Sequence, residues 1–195
     1  METLTALRKL TVAEFHRMEF ADDDPHLYEL LDGELVKKKA PTPRHQLILA
    51  ELYSQLRDFN KQQVQSGHIL FAPVDVFLDD NTGPQPDLVY LRFDQQHLIT
   101  NDGIMGAPTL VVEVISPSSV WHDRITKKRL YEAFGVQEYW IIDPVGSLIE
   151  IFALETDAVN RNRYELLSGA SPDEGELTSG VLPGLTLDLA KLFAA

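Results

Sequence analysis

Apolar residues recur at two different spacings along this chain, and the change between them predicts where helices and strands lie. Val12, Phe15 and Met18 are three residues apart and follow Thr11, which with Glu14 forms a pattern typical of a helix N-terminus. The sequence therefore predicts a short amphipathic helix close to its start.

A hairpin and a longer helix are predicted next. The runs YELL and ELVKK are strand-like and are joined by Asp32-Gly33, two residues that tolerate the positive φ of a tight turn. Pro43 suits the first position of a second helix. That helix should end near Gly67, and its apolar stripe consists of Leu47, Ile48, Leu52 and Leu56.

Strand-like runs dominate the rest of the chain. They are HILFAPVDVFL, PDLVYL, TLVVEVI, EYWIID and SLIEIF, with short strand and turn segments after Arg163-Tyr164 and a helical DLAKLF at the end. The nearly continuous apolar run TLVVEVI is typical of a strand that is covered on both faces. A helix is predicted from about Trp121 to Phe134, where Gly135 is placed to end it.

The order of these elements predicts the fold class. We expect a single α/β (α+β) domain over residues 1–195, with a mixed sheet that has one side packed by the helices near 44–63 and 121–134. A chain of 195 residues is long enough for one core and short for two. No tandem repeat and no long Pro/Gly/Ser linker divides it.

Composition narrows the classes of site. The chain has no cysteine, which excludes disulfides, thiolate zinc sites and cysteine nucleophiles. No apolar run approaches the roughly 20 residues of a membrane span. The first residues, METLTALRKL, lack the apolar segment of a secretory signal. We therefore expect a cytoplasmic protein with no membrane partner.

The net charge of −13 argues against nucleic acid as a partner, because phosphate binding depends on Lys and Arg. The acidic excess lies in the flanks, however. Residues 1–36 hold 3 basic and 9 acidic residues, and residues 151–195 hold 3 and 7. The middle of the chain, with 11 basic and 14 acidic residues, is nearly balanced, so an anionic ligand is not excluded there.

Two acidic residues stand at the ends of predicted strands. Glu113 lies within the apolar run LVVEVI, where an ionised carboxylate must be paired, hydrogen-bonded, protonated or bound to a metal. Asp87 follows Pro86 at the start of another apolar strand. Taken singly, Glu113 could form a structural ion pair and Asp87 could be a turn residue. Together, on adjacent strand ends, they indicate a site for a hard cation such as Mg²⁺ or Mn²⁺.

A basic helix start follows these strands. Asp123, Lys127 and Tyr131 are spaced by four residues and share one helix face. Asp123 and Lys127 have the orientation of a surface ion pair, which is one interpretation. The other is that Lys127 points back at the end of the Glu113 strand, where its ammonium would bind a phosphate oxygen or stabilise developing charge.

Taken in order, these segments resemble a known family. YELLDGELV, PTPRH at the start of a helix, PD before a strand, LVVEVISPSS, the D-x-x-x-K-x-x-x-Y spacing and GVQEYWIIDP with IEIF are similar to the Uma-two family of "putative restriction endonucleases", in the PD-(D/E)XK nuclease superfamily. The resemblance runs from about Thr11 to LPGLTLDLAKLF. It implies a restriction-endonuclease-like fold and the hydrolysis of phosphodiester bonds in DNA with Mg²⁺ or Mn²⁺, by a protein that forms a homodimer.

The resemblance also implies roles for the acids and the lysine. Asp87 and Glu113 would be catalytic metal ligands, with the main-chain carbonyl of Val114 as a further ligand. The superfamily places a lysine two residues after the second acid, where this chain has Ile115. Lys127 on the next helix is therefore the expected catalytic lysine.

Supporting residues follow from the same resemblance. Glu34 in the hairpin is the expected further catalytic acid, with Glu29 as the less favoured choice. His45 would support the site from the second helix, and Asp123 would orient Lys127. The basic residues expected to contact DNA are Lys37, Lys38, Lys39, Arg44, Arg124, Lys128 and Arg129.

Two alternatives to the enzyme remain open. A nuclease-fold domain that binds a partner without catalysis is favoured by the net charge of −13 and by Ile115. The combination of Asp87, Glu113 and Lys127 favours the enzyme. A glycoside hydrolase with paired carboxylates does not explain Lys127.

Overall fold

The computed structural model describes residues 8–20, 24 and 26–194. The prediction about a secretory signal rests on the first ten residues, of which residues 1–7 lie outside the described part of the chain. Within the described ranges, no helix combines the length and the apolarity that crossing a membrane requires.

Short helices, a hairpin and a central sheet make up the fold. The α-helices are α1 (Val12–Phe15), α2 (Pro43–Asn60), α3 (Lys128–Ala133) and α4 (Leu189–Phe193), with a 3₁₀ helix at Phe93–Leu98 and a π-helix at His122–Lys127 that runs into α3. The strands are β1 (Leu27–Leu31), β2 (Glu34–Lys38), β3 (His68–Phe71), β4 (Val76–Phe77), β5 (Leu88–Leu91), β6 (Ile104–Met105), β7 (Leu110–Val114), β8 (Glu138–Asp143), β9 (Leu148–Thr156) and β10 (Asn162–Ala170).

The N-termini of α1 and α2 are both capped by side chains. Thr11 and Glu14 form a reciprocal capping box at α1. The side chain of Thr42 accepts a hydrogen bond from the backbone N–H of His45 at 3.2 Å, which fixes the first turn of α2. α1 has only four residues and ends at Phe15. Met18, which the apolar spacing placed in this helix, therefore lies beyond its end.

The central sheet has six strands in the order β10-β9-β8-β7-β5-β3. β7 and β8 run parallel and the other neighbours run antiparallel, which confirms the predicted mixed sheet. β1 and β2 form a separate hairpin, whose turn residues Asp32 and Gly33 have the predicted positive φ values of 50° and 79°. β10 is a nine-residue strand, longer than the short segments that its sequence predicts.

The two helical segments that were expected to share one side of the sheet lie on opposite faces. Leu52 of α2 packs in the same core as Val112, whereas Tyr131 of α3 packs in the same core as Val111. Adjacent residues of a strand point to opposite faces. Because the run around β7 is apolar on both faces, each face needs its own cover, and this need corrects the prediction of one packed side.

One end of the sheet brings four elements together. β7 ends there at Val114, β5 begins there after Asp87, and α2 brings its first turn to the same point through the contact between His45 and Asp87. The hairpin joins them because Leu30 and Gly83 exchange backbone hydrogen bonds of 3.2 and 2.8 Å. This end of the sheet carries the candidate site.

Candidate active site

Asp87 and Glu113 lie at the same level of two neighbouring strands. Leu88 of β5 pairs with Val112 of the antiparallel β7, so the preceding Asp87 reaches the level of Glu113. The backbone N–H of Val114 donates to Asp87 Oδ2 at 2.8 Å and fixes the Asp87 carboxylate against the end of β7. Asp87 is 8% exposed and Glu113 is 2% exposed. The structure therefore brings the two predicted acids together in a buried position.

His45, in the first turn of α2, holds the same oxygen of Asp87. Its Nε2 lies 3.0 Å from Asp87 Oδ2. A carboxylate accepts hydrogen bonds, so the proton of this contact belongs on Nε2 of His45. The other ring nitrogen, Nδ1, is buried and has no hydrogen-bond partner in the described part of the chain. His45 thus lies against a predicted metal ligand.

Lys127 is enclosed by carboxylates. Its Nζ lies 2.9 Å from Glu113 Oε1 and 3.0 Å from Glu29 Oε2. Asp123, four residues earlier, lies 3.8 Å away. Lys127 is only 1% exposed, so the Asp123–Lys127 pair is buried and is not the surface pair that its orientation also allows. The ammonium lies at the end of the Glu113 strand.

The helix that carries Lys127 also brings a tyrosine to Glu113. Residues His122–Lys127 form a π-helix, a widened turn that is frequent at functional sites. Tyr131, in the α-helix that follows, donates its hydroxyl proton to Glu113 Oε1 at 3.1 Å. Sequence reasoning placed Tyr131 on the face of Lys127 but assigned it no contact. The signal that could have found it is the four-residue spacing from Lys127.

The hairpin supplies a different acid from the favoured one. Glu34 is exposed at the start of β2, beside the turn. Glu29 is 1% exposed, and its Oε2 accepts the backbone N–H of Gln85 at 3.1 Å in addition to contacting Lys127. Glu29 pairs with Val36, two residues further from the turn than Glu34. This register corrects the choice of hairpin acid from Glu34 to Glu29.

Burial dominates the electrostatics of this cluster. It raises the pKa of Glu113 to about 8, because the attraction of Lys127 only partly offsets the loss of water. Burial raises the pKa of Asp123 in the same way. In Glu29, burial is outweighed by Lys127, Lys38 and the backbone N–H of Gln85 together, which hold the pKa below its usual value. Glu113 therefore takes up a proton at a higher pH than an ordinary glutamate, whereas Glu29 stays ionised beside Lys127.

The surrounding carboxylates also settle the charge of Lys127. Burial alone would lower the pKa of this ammonium, but Glu113 and Glu29 hold that pKa well above its usual value. A buried lysine without such partners would lose its proton much more readily. Lys127 is therefore a cation throughout the neutral pH range.

One oxygen of each acid accepts no described hydrogen bond. The described hydrogen bonds of Asp87 end on Oδ2 and those of Glu113 end on Oε1. Oδ1 of Asp87 and Oε2 of Glu113 accept none of these bonds. Among the described residues, no three His, Cys, Asp or Glu side chains gather closely enough to hold a metal. Mg²⁺ commonly uses only one or two carboxylates, with water and substrate phosphate as further ligands, and the two acids fit that requirement.

The basic residues expected to contact DNA divide into two groups. Lys38 donates to a backbone carbonyl at 2.9 Å, and Arg124 contacts Glu150 at 2.6 Å. Lys128 lies with its Nζ 3.4 Å from the ring centroid of Phe152. These three are engaged within the protein. The exposed members of the set are Lys37, Lys39, Arg44 and Arg129, of which Lys37 also lies 3.9 Å from Asp24.

The chain matches one protein family and is similar in fold to a solved structure. A family model described as Uma2, "Putative restriction endonuclease", matches residues 12–190. No curated protein matches the chain. Among solved structures, the chain is similar to a "putative nuclease belonging to DUF820" from Anabaena variabilis, with a TM-score of 0.73 and 19% sequence identity, over 95% of this chain and 98% of that one. This likeness shows a shared fold.

Proposed function

The chain belongs to the Uma2 family, and from this premise we propose that it is a divalent-metal-dependent endonuclease that hydrolyses phosphodiester bonds in DNA. The observation that carries the proposal is the meeting of Asp87, Glu113 and Lys127 in one buried cluster. In this proposal, Asp87 and Glu113 hold Mg²⁺ or Mn²⁺ with the carbonyl of Val114, and Lys127 is the catalytic lysine.

The charge of the cluster favours a cation. Three buried carboxylates lie within 3.8 Å of the buried ammonium of Lys127, and a fourth, that of Asp87, lies at the end of the neighbouring strand. Carboxylates that share a poorly hydrated site repel one another, and the repulsion is relieved by a proton or by a metal ion. Burial is the first cause of the raised pKa of Glu113, and the nearby acids Asp123 and Asp87 raise it further. The four carboxylates belong to Glu29, Asp87, Glu113 and Asp123.

The side chains divide the work of phosphodiester hydrolysis between them. When bound, a divalent cation supplies polarisation of the phosphate and a water of lowered pKa. The ammonium of Lys127 offsets the negative charge that develops on the phosphate oxygens. Glu29 and Asp123 hold that ammonium from other sides, so its position is set before DNA binds. His45 does the same for the Asp87 carboxylate.

The exposed cations are the candidates for contacting DNA. Lys37 lies in β2, Lys39 directly follows that strand, and Arg44 lies in the first turn of α2 next to His45 at the site. Each would neutralise one phosphate, so binding should weaken as the salt concentration rises. Arg129 is a fourth candidate. The homodimer and the cytoplasmic location remain predictions from the sequence.

A non-catalytic binding module is the second candidate function. It is favoured by the burial of Lys127. The side chain of Lys127 is 1% exposed and already contacts two carboxylates. A lysine that never leaves these partners would stabilise the fold and nothing else. The two candidates predict different outcomes with DNA.

Plasmid nicking in Mn²⁺ tests the proposal. The wild-type protein should nick supercoiled DNA in Mn²⁺ and should stop when EDTA is added. Asp87→Asn and Glu113→Gln should each lose nicking and also lose Mn²⁺ binding measured by calorimetry, because each removes a charged ligand. Glu138→Gln is the matched control, since Glu138 is 1% exposed but bonds to Trp140 and Ser179 instead of the site.

The outcomes separate the two candidate functions. Mn²⁺ binding of equal affinity in the wild type and in Glu113→Gln would overturn the metal site. Mn²⁺ binding that depends on Glu113, without any cleavage of DNA, would favour the binding module. Melting curves of each variant exclude unfolding as the cause of a loss.

A further inference from the structure

Tyr131 is a buried polar residue that the proposed chemistry does not use. Its side chain is 0% exposed, in the core between α3 and the sheet. Its ring packs against that of Tyr139, with 5.2 Å between the ring centroids. Within this apolar surrounding, its hydroxyl reaches Glu113 Oε1 at 3.1 Å. A core position needs only the ring, so the hydroxyl calls for its own explanation.

Two donors converge on one oxygen of Glu113. Lys127 Nζ and the Tyr131 hydroxyl lie 2.9 and 3.1 Å from Oε1. A carboxylate is planar, so two donors on Oε1 fix the direction in which Oε2 points. Oε2 accepts neither of these hydrogen bonds and is the oxygen left for a ligand role. Glu113 is therefore held in one orientation by donors from a single helical segment.

The two donors differ in what they contribute. Lys127 brings a charge as well as a hydrogen bond, so its removal changes both the orientation and the electrostatics of Glu113. Tyr131 is neutral, because burial and the nearby carboxylate of Glu113 keep the pKa of its hydroxyl well above the usual value. Its removal changes the orientation and leaves the charge balance as it is.

We propose that Tyr131 is a positioning residue that turns Glu113 Oε2 toward the metal position. The inference rests on the proposed function, in which Glu113 is a metal ligand. Residues that orient metal ligands typically contribute a factor of about 10 to 100 to metal affinity. Tyr131→Phe should therefore weaken Mn²⁺ binding by about tenfold or more.

Tyr164→Phe provides the matched control. Tyr164 belongs to the same core, is 5% exposed, and donates its hydroxyl to the backbone carbonyl of Val136 at 2.8 Å. Both substitutions remove one buried hydroxyl and keep the ring. A purely structural role predicts a lower melting temperature for both variants and the same Mn²⁺ affinity as the wild type.

Calorimetric titration of the full chain with Mn²⁺ decides between these outcomes. Weaker binding in Tyr131→Phe, with wild-type affinity in Tyr164→Phe, is the expected result. Wild-type affinity in both variants would overturn the role of Tyr131 and leave the metal site standing. If the wild-type protein itself binds no Mn²⁺, the proposed function fails, and the inference fails with it.

Discussion

Lys127 and Glu113 are 14 residues apart in the chain, yet their charged atoms lie 2.9 Å apart. The lysine reaches the strand end from the π-helix. The position two residues after Glu113 is held by Ile115, which is 5% exposed in the core that α3 covers. Ile115 therefore packs in the core, and the ammonium beside Glu113 comes from Lys127 on the helix.

The first prediction concerns the charge of Lys127. Lys127→Met keeps an unbranched side chain but leaves Glu29 and Glu113 without their cation. Nicking of plasmid DNA in Mn²⁺ should fall by about 100- to 1,000-fold, the usual effect of removing one preorganised electrostatic group. Because buried carboxylates lose their partner, the variant should also be less stable by about 3 kcal/mol in urea unfolding at neutral pH.

The neighbouring lysine is the control for this prediction. Lys128 lies over the ring of Phe152, with its Nζ 3.4 Å from the centroid, and contacts none of the buried acids. Lys128→Met should retain nicking and stability close to those of the wild type. Equal losses of nicking in both variants would mean that Lys127 has been assigned the wrong role.

Local patterns predicted the parts of the fold that depend on local physics. The capping box of Thr11 and Glu14 and the positive φ of Asp32 and Gly33 are both present, because each depends on residues a few positions apart. The side of the sheet that each helix covers could not be predicted in this way. A strand that is apolar on both faces, such as β7, does not show which helix lies on which face.

The second prediction compares the two acids of the hairpin. Glu29→Gln replaces the carboxylate 3.0 Å from Lys127 with a neutral amide. Hydrogen bonds to charged groups contribute about 1.5 to 3 kcal/mol, so the free energy of unfolding should fall by about that amount. Glu34→Gln, at an exposed position, should change it by less than about 0.5 kcal/mol. Urea unfolding in EDTA measures both, and equal effects would contradict the correction from Glu34 to Glu29.

The part of the candidate site that consists of sequence motifs could be predicted. The sequence predicts Asp87 and Glu113 at strand ends because each adjoins an apolar run. It predicts Lys127 on one helix face because of the four-residue spacing from Asp123. The choice between Glu29 and Glu34 depends on how deeply the hairpin inserts beside Gln85, a contact between residues 56 positions apart. Such long-range packing leaves no periodic signal in the sequence.

The contacts that basic residues make within the protein could not be predicted either, because they join residues far apart in the sequence. Arg124 contacts Glu150 at 2.6 Å, and Lys38 contacts a backbone carbonyl 47 residues away at 2.9 Å. The sequence predicted that both would contact phosphate, because it does not show which residue a basic side chain will pair with in the fold. The structure narrows the DNA-contact candidates by showing which cations are already engaged.

The third prediction is a dependence of stability on pH that Glu113 causes. Burial raises its pKa from 4.5 to about 8 in the folded protein. Between these values the folded state holds a proton that the unfolded state has released, so the free energy of unfolding falls as the pH rises from 4.5 to 8. Glu113→Gln stays neutral and avoids this loss. In EDTA the variant should match the wild type near pH 5 and exceed it near pH 8 by a few kcal/mol, on the order of one per pKa unit.

Other titrating groups do not reverse the sign of this third prediction. Burial would raise the pKa of Glu29, but Lys127, Lys38 and the backbone N–H of Gln85 together hold it below its usual value, so the stability that Glu29 contributes is lost only in acid, below the window considered. The pKa of Asp123 is raised by burial, but Asp123 is present in both proteins, so its effect largely cancels in the comparison. Urea unfolding at several pH values from 5 to 8 measures the difference. A difference that stays constant over this range would show that Glu113 is already ionised at pH 5, and that Lys127 compensates its burial fully.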